Sequence, residues 1–194
     1  MTRAYEWNPM PHRLDVVCPR CAARAHFAFA TVVRVAKNVD IPALQRVSAL
    51  SVESWSHQGQ RYPVAVYQPA LHGPAAGVLD RLPDGYVPLD WAEPRFLVRS
   101  HASRGAVRCE VCGLRREHSL RWPTDAWFVV MWRGALLWAW HRESAAELRD
   151  WLASTDRRLD GRRWRGMLMK VPGVFTTAKA RERVVKLLDR RLAE

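Results

Sequence analysis

The four cysteines constrain this chain most. They are its only ones, and they fall into two pairs, Cys18-Pro19-Arg20-Cys21 and Cys109-Glu110-Val111-Cys112. Two residues between thiols is the spacing at which a tight turn aims two sulfurs at one ion, and four thiolates complete a tetrahedral zinc shell. Pro19 stiffens the first turn, and Gly113 can take a positive φ just after the second pair. The expectation is one structural Zn2+ held by Cys18, Cys21, Cys109 and Cys112, with no open position left for a catalytic water. Two disulfides would suit a secreted chain, but Met1-Thr2-Arg3-Ala4-Tyr5-Glu6 leads into no apolar signal segment, so the expected location is cytoplasmic. A redox pair usually occurs once, opening a helix, whereas strand-like sequence flanks both pairs here. The 87 residues between Cys21 and Cys109 far exceed the roughly 12–20 of a compact site. Zinc would therefore tie the first strand to the middle of the chain.

At 194 residues the chain fits one domain, or one with a small appendage, and its 48% hydrophobic content excludes global disorder. Ten tryptophans suit either an aromatic core or base stacking. Formal charge is +12. The excess of arginine over lysine fits a GC-rich bacterial genome, while the net sign points to an acidic partner, most often nucleic acid.

Taken in order, residues 1–13 read as an arm. Leu14–Cys18 reads as a strand into the first cysteine turn, and His26–Val35 as one strand leaving it. His26 as a metal ligand is disfavoured by the complete cysteine set. Gln45–Val52 fits a strand or a weak helix, Ser54–Gln60 a polar turn, and Tyr62–Tyr67 a strand in which Pro63 suggests an edge or a strand start. Residues 69–94 carry Gly73-Pro74, Pro83-Asp84-Gly85, Pro88 and Pro94. They read as a mobile loop system, with a short strand at Gly85-Tyr86-Val87 and a candidate binding surface. Arg95–Arg99 alternates as a strand, Ser103-Arg104-Gly105 reads as a turn, and Ala106–Arg108 enters the second cysteine turn. The apolar stretch 127–140 is too short for a membrane span of about 20 residues and is broken by Arg133-Gly134, so it reads as a hairpin. Ser144-Ala145-Ala146-Glu147 has capping-box spacing for a helix over about 143–154. A last helix runs from Thr176 or Thr177 to about Leu192, with Val184, Val185, Leu188 and Leu192 on one side.

Motifs for zinc proteases, serine hydrolases, nucleotide-binding loops and dinucleotide folds are absent from the sequence. His57 follows Ser54 and Ser56 without an acid partner. Asp80, Asp84, Asp90 and Glu93 could bind a divalent metal for phosphodiester cleavage, a third-ranked nuclease reading, but acids in Pro/Gly loops usually serve turns. Basic residues concentrate at Arg108, Arg115, Arg116 and Arg121 around the second cysteine turn. They recur at Arg157, Arg158, Arg162, Arg163, Arg165 and Lys170, with Trp164 among them.

Residues 14–35 and 106–122, with the two cysteine pairs, resemble the halves of a TFIIB-type zinc ribbon. Residues 136–148 and 178–188 resemble the tail of small bacterial zinc-ribbon proteins. That resemblance implies binding to nucleic acid or docking onto a larger machine. The expected architecture is α+β: a split zinc ribbon with a long β-rich insertion at 37–100, then the apolar hairpin and two C-terminal helices. Residues 1–141 would form the ribbon and its insertion, and 142–194 a helical segment packed on the hairpin. The expected function is a non-enzymatic module binding nucleic acid mainly through backbone phosphates, with the eleven positions from Arg108 to Lys170 named above as its nucleic-acid-binding residues and base stacking as the functional role open to Trp164. The alternative is a protein-interaction subunit of a larger bacterial complex.

Overall fold

In a computed structural model of the protein, residues 10–93 and 103–194 are described. The strand expected at Arg95–Arg99 lies outside them. The fold is α+β, with three antiparallel sheets and five α-helices among the described residues. A four-stranded sheet is formed by β1 (Arg13–Val17), β2 (Arg24–Phe29), β6 (Arg104–Arg108) and β7 (Arg115–Ser119), in the order β1-β2-β6-β7. A three-stranded sheet holds β3 (Thr31–Arg34), β5 (Gln60–Tyr67) and β4 (Leu50–His57), with β5 central. The third sheet is the hairpin β8 (Phe128–Trp132) and β9 (Ala135–Ala139). Arg133 and Gly134 turn it with φ of 48° and 76°, the double positive φ of a tight hairpin turn whose twist matches the strands.

Alternation divides the four-stranded sheet into two faces. Leu14, Val16, Ala25, Phe27, Phe29 and Val107 are buried on one. They join Phe128, Val130, Leu137 and Trp138 of the hairpin in a single core, closed by Leu148 and Leu152 of α3 (Arg142–Ala153) and Val184 and Leu188 of α5 (Ala178–Ala193). Each buried Val, Leu or Phe among them contributes about 1.5–3 kcal/mol over exposure. The opposite face is polar. The register sets Asp15 against His26, His26 against Arg108 and Arg108 against Arg115, one row across all four strands.

A second core belongs to the residues between the cysteine pairs. Leu44 of α1 (Ile41–Gln45) packs with Ala65, Tyr67, Leu79, Tyr86 and Trp91. The segment 69–93 is therefore built around buried side chains, which corrects its reading as a mobile loop system. Its breakers shape short pieces: α2 (Pro69–His72) and 3-10 turns at Ala75–Gly77 and Pro88–Trp91. Gly85-Tyr86-Val87 is not a strand. Tyr86 is held by its hydroxyl, which accepts from Ala36 N at 2.9 Å and donates to Asp40 at 3.3 Å. The two cores are joined by α2, which packs on β2, β6 and β7, and by an ion pair from Arg104 to Glu53.

Other boundaries move for local reasons. The single strand read over His26–Val35 breaks at Ala30, whose N–H donates to Arg104 O at 3.0 Å, and the chain passes there from one sheet to the next. The polar turn read at 54–60 shrinks to Gln58-Gly59, with φ of 49° and 80°. Pro63 lies inside the central strand β5, neither on an edge strand nor at the strand's start. Its carbonyl accepts from Val35 N at 3.0 Å, just past the last β3 pair, so its missing N–H faces the side where β3 has ended. Arg104 and Gly105 lie in β6 rather than a turn. Helix α3 is capped one turn earlier than Ser144: His141 Nδ1 accepts from Ser144 N at 3.3 Å, and Ser144 Oγ accepts from His141 N at 3.0 Å.

Asp125 ties the hairpin's approach to the first sheet. Its backbone oxygen accepts from Val17 N at 2.9 Å. Its buried carboxylate accepts from Arg121 N at 2.8 Å and pairs with His118 Nε2 at 2.9 Å. Burial pushes this carboxyl up, but those donors outweigh burial and hold it below its ordinary 3.8. A depressed folded-state value stabilises the protein above the unfolded value and is lost as pH falls through the folded one. Asp125→Asn is therefore expected to cost about 2 kcal/mol at neutral pH. The deficit should shrink in acid. Urea melts of both proteins across this range measure it, and a deficit independent of pH would contradict the assignment.

Candidate metal centre

The two cysteine turns close the same end of the four-stranded sheet, one between β1 and β2 and the other between β6 and β7. They are built alike. Cys18 N donates to Ala23 O at 2.8 Å, and Cys109 N donates to Leu114 O at 2.9 Å. The residue after the second cysteine is left-handed in each, with φ of 58° at Ala22 and 70° at Gly113. Gly113 adopts this freely, whereas Ala22 carries strain of about 1 kcal/mol. Pairing of β2 with β6 brings the turns together although their cysteines lie far apart in sequence.

The four Sγ atoms lie within 4.8 Å of one another. Cys18 Sγ is 3.7 Å from Cys112 Sγ, and Cys21 Sγ is 3.7 Å from Cys109 Sγ. A tetrahedron with metal–sulfur bonds of about 2.3 Å has edges of about 3.8 Å, so the cluster has the dimensions of a tetrahedral thiolate site. All four cysteines are free of disulfides; Cys18 and Cys109 are buried and Cys21 is exposed. The cluster could hold one metal ion, and its four sulfurs would fill a tetrahedral shell.

Without a cation, Cys18 and Cys21 are pushed in opposite directions. At Cys18 burial raises the pKa, but N–H donors from Cys21 and Arg20 outweigh it and bring the thiol down to about 7. At Cys21 the N–H of Ala23 lowers the pKa, but desolvation and the neighbouring sulfurs prevail and push it up to about 12. A bound divalent ion reverses that repulsion and releases protons on binding.

The basic residues fall into two groups. Arg108, Arg115, Arg116 and Arg121 are exposed on or beside β6 and β7. Residues 157–170 are largely engaged locally. Arg157 donates to Thr176 O at 3.3 Å, Arg162 to Arg158 O at 3.0 Å, and Arg163 to Glu143 at 2.8 Å. Arg158 pairs with Asp156 at 2.9 Å, and Arg165 lies 3.9 Å from Asp160. Lys170 is half-buried at the end of the segment. Trp164 corrects the stacking expectation. It is 5% exposed, set edge-on against Trp140 and His141, with Arg163 over its ring. With so little of the ring exposed and Arg163 over it, it offers no free face for a base to stack on.

A cleft of about 980 Å3 runs over the polar face of the four-stranded sheet, bounded by α2 and the start of α3. Of the expected nucleic-acid-binding residues, Arg108, Arg115, Arg163 and Trp164 line it. Sequence reasoning missed its centre. Asp15 Oδ1 meets His26 Nδ1 at 2.9 Å, and Asp15 Oδ2 accepts from Arg142 N at 2.9 Å. The available signal was a carboxylate inside the apolar run Leu14-Asp15-Val16-Val17, which demands a partner once buried.

No protein family, curated protein or solved structure matches the chain. Among the described residues no helix is long and apolar enough to cross a membrane.

Proposed function

We propose that the protein is a zinc-ribbon module in which one structural Zn2+ on Cys18, Cys21, Cys109 and Cys112 holds a surface that binds nucleic acid mainly through backbone phosphates. The dimensions of the sulfur cage and the two facing turns support zinc, whose preference is for four thiolates in a closed tetrahedral site. The observation that carries the nucleic-acid reading is the arginine set beside that cage. Arg24 and Arg115 have no carboxylate within salt-bridge distance among the described residues, and Arg108 has one only at 4.0 Å. Free guanidinium groups on a sheet of a +12 chain are suited to phosphate oxygens. Two of the four acids of the nuclease reading are otherwise engaged: Asp90 accepts from Val87 N at 2.9 Å, and Glu93 pairs with Arg13. The hairpin behind the protein-interaction reading has Phe128, Val130, Leu137 and Ala139 buried, leaving Met131 as its exposed large apolar residue.

Titrating a single-stranded oligonucleotide at several salt concentrations tests this reading. Affinity is expected to fall steeply with salt, and Arg108→Ala with Arg115→Ala should lower the log–log slope by about 1 for each phosphate contact removed. A salt-independent affinity, or a slope unchanged in the double variant, would contradict it.

A further inference from the structure

The cleft above the sheet is organised more tightly than a backbone-tracking surface requires. Asp15 is 5% exposed, and both its oxygens are engaged, one by Arg142 N and the other by His26 Nδ1. The carboxylate is thereby fixed, and it makes Nδ1 the protonated nitrogen of His26. The opposite nitrogen, Nε2, belongs to a half-exposed ring that lines the cleft. Arg108 sits across the strand pair from His26, Arg115 lies one strand further, and Arg24 is two residues before His26 on the same face of β2.

We infer that this cleft is a phosphomonoester site that takes the phosphorylated end of a strand, or a nucleoside monophosphate, with His26 donating to the phosphate among Arg24, Arg108 and Arg115. The inference rests on the nucleic-acid reading for its choice of ligand, and adds which part of the ligand is recognised.

Charge and size support it. Six arginines and four carboxylates line the cleft, an excess of two that becomes three when His26 is protonated. A phosphomonoester brings up to two negative charges and three terminal oxygens, whereas an internal phosphodiester brings one charge and two. The volume falls within the range of about 300–1,000 Å3 typical of small-molecule sites, and is too small for a duplex. Pro69, Leu71 and Pro74 provide apolar wall for the body of a nucleotide. His12 adds a buried, unpartnered Nδ1 on the same lining; burial lowers its pKa, leaving it neutral and able to accept or donate one hydrogen bond.

The site has a pH signature. The hydrogen bond from Asp15 raises His26 above its ordinary 6.5, against desolvation. The other charged and titratable groups lining its surroundings are Arg24 on its own strand, Asp15 and Arg13 on β1, and Arg108 and Arg115 on β6 and β7. Beyond the sheet they are Glu110, His72 on α2, His141, Arg142 and Glu143 at α3, Arg163, Glu93 and His12. The arginines keep their charge throughout. A phosphomonoester gains its second charge near pH about 6, so preference for it should be greatest between there and the raised His26 value. The preference should fall as His26 loses its proton.

Calorimetric titration of the whole chain with one oligonucleotide carrying a 5′-phosphate, a 3′-phosphate or only hydroxyl ends tests the proposal, with adenosine 5′-monophosphate as a fourth arm. At least one phosphorylated end is expected to bind about tenfold more tightly than the hydroxyl form. His26→Gln should abolish that preference without lowering Tm by more than a few degrees. Equal affinities for all three oligonucleotides, or a preference untouched by His26→Gln, would overturn the site while leaving nucleic-acid binding in place. Binding of the monophosphate but of no oligonucleotide would uphold the site and reject the nucleic-acid reading. Binding of none of the four would reject both.

Discussion

Cys109→Ser is expected to lower the stability of the metal-loaded protein by about 4 kcal/mol when metal exceeds its dissociation constant a thousandfold. The reason is linkage. Metal held only by the folded state stabilises that state in proportion to its occupancy, and a hydroxyl is a far poorer ligand than a thiolate. Cys109 is buried within the main core beside Cys18, Val107 and Phe27, so the loss falls on the four-stranded sheet. The second core, from Val35 to Trp91, includes none of the four cysteines and should lose structure later. For a chain of this size the change corresponds to a fall of about 10 °C in Tm. Thermal melts of both proteins with zinc present measure it, and a variant that melts with the wild type would show that the sulfur cluster carries no metal-linked stability.

Gly105→Ala is expected to cost about 3 kcal/mol or more. Gly105 lies in β6 opposite Phe29. A Cβ there would stand 2.2 Å from the backbone oxygen of Ala28 and 2.5 Å from the ring of Phe27. Phe27 is fully buried and has no room to withdraw, and Ala28 O moves only if the β2–β6 ladder opens. That ladder is what brings the cysteine turns together, so the damage should extend to metal affinity. Gly59→Ala is the control: its φ is +80°, but nothing lies within 4 Å of the added methyl, so only backbone strain of about 1 kcal/mol applies. Urea denaturation of the two variants separates them. A cost at Gly105 no larger than at Gly59 would contradict the close packing of β2 on β6.

The elements that could be read from the sequence were those whose signals are local. The paired cysteines needed only their spacing, and the C-terminal hairpin and helices announced themselves through Arg133-Gly134, Thr177 and the spacing of Val184 and Leu188. The segment 69–93 was misread because its order comes from burial of Leu79, Tyr86 and Trp91 against Leu44 and Tyr67, contacts distant in sequence that Gly and Pro give no hint of. Trp164 was misread for the opposite reason. Its arginine neighbours suggested solvent, while its ring is fixed by Trp140 and His141 from a different part of the chain. The Asp15–His26 pair illustrates the same limit. Each residue is unremarkable alone, and only the antiparallel register of β1 and β2 sets them opposite one another.

Metal content bears most directly on the central claim that a structural ion holds the sheet and the surface it presents. The protein purified without added metal should contain one equivalent of zinc. A strong chelator should then lower its Tm by about 10 °C and, once the sheet loosens, weaken oligonucleotide binding. Protein that carries no metal, and melts at the same temperature with and without the chelator, would contradict the account.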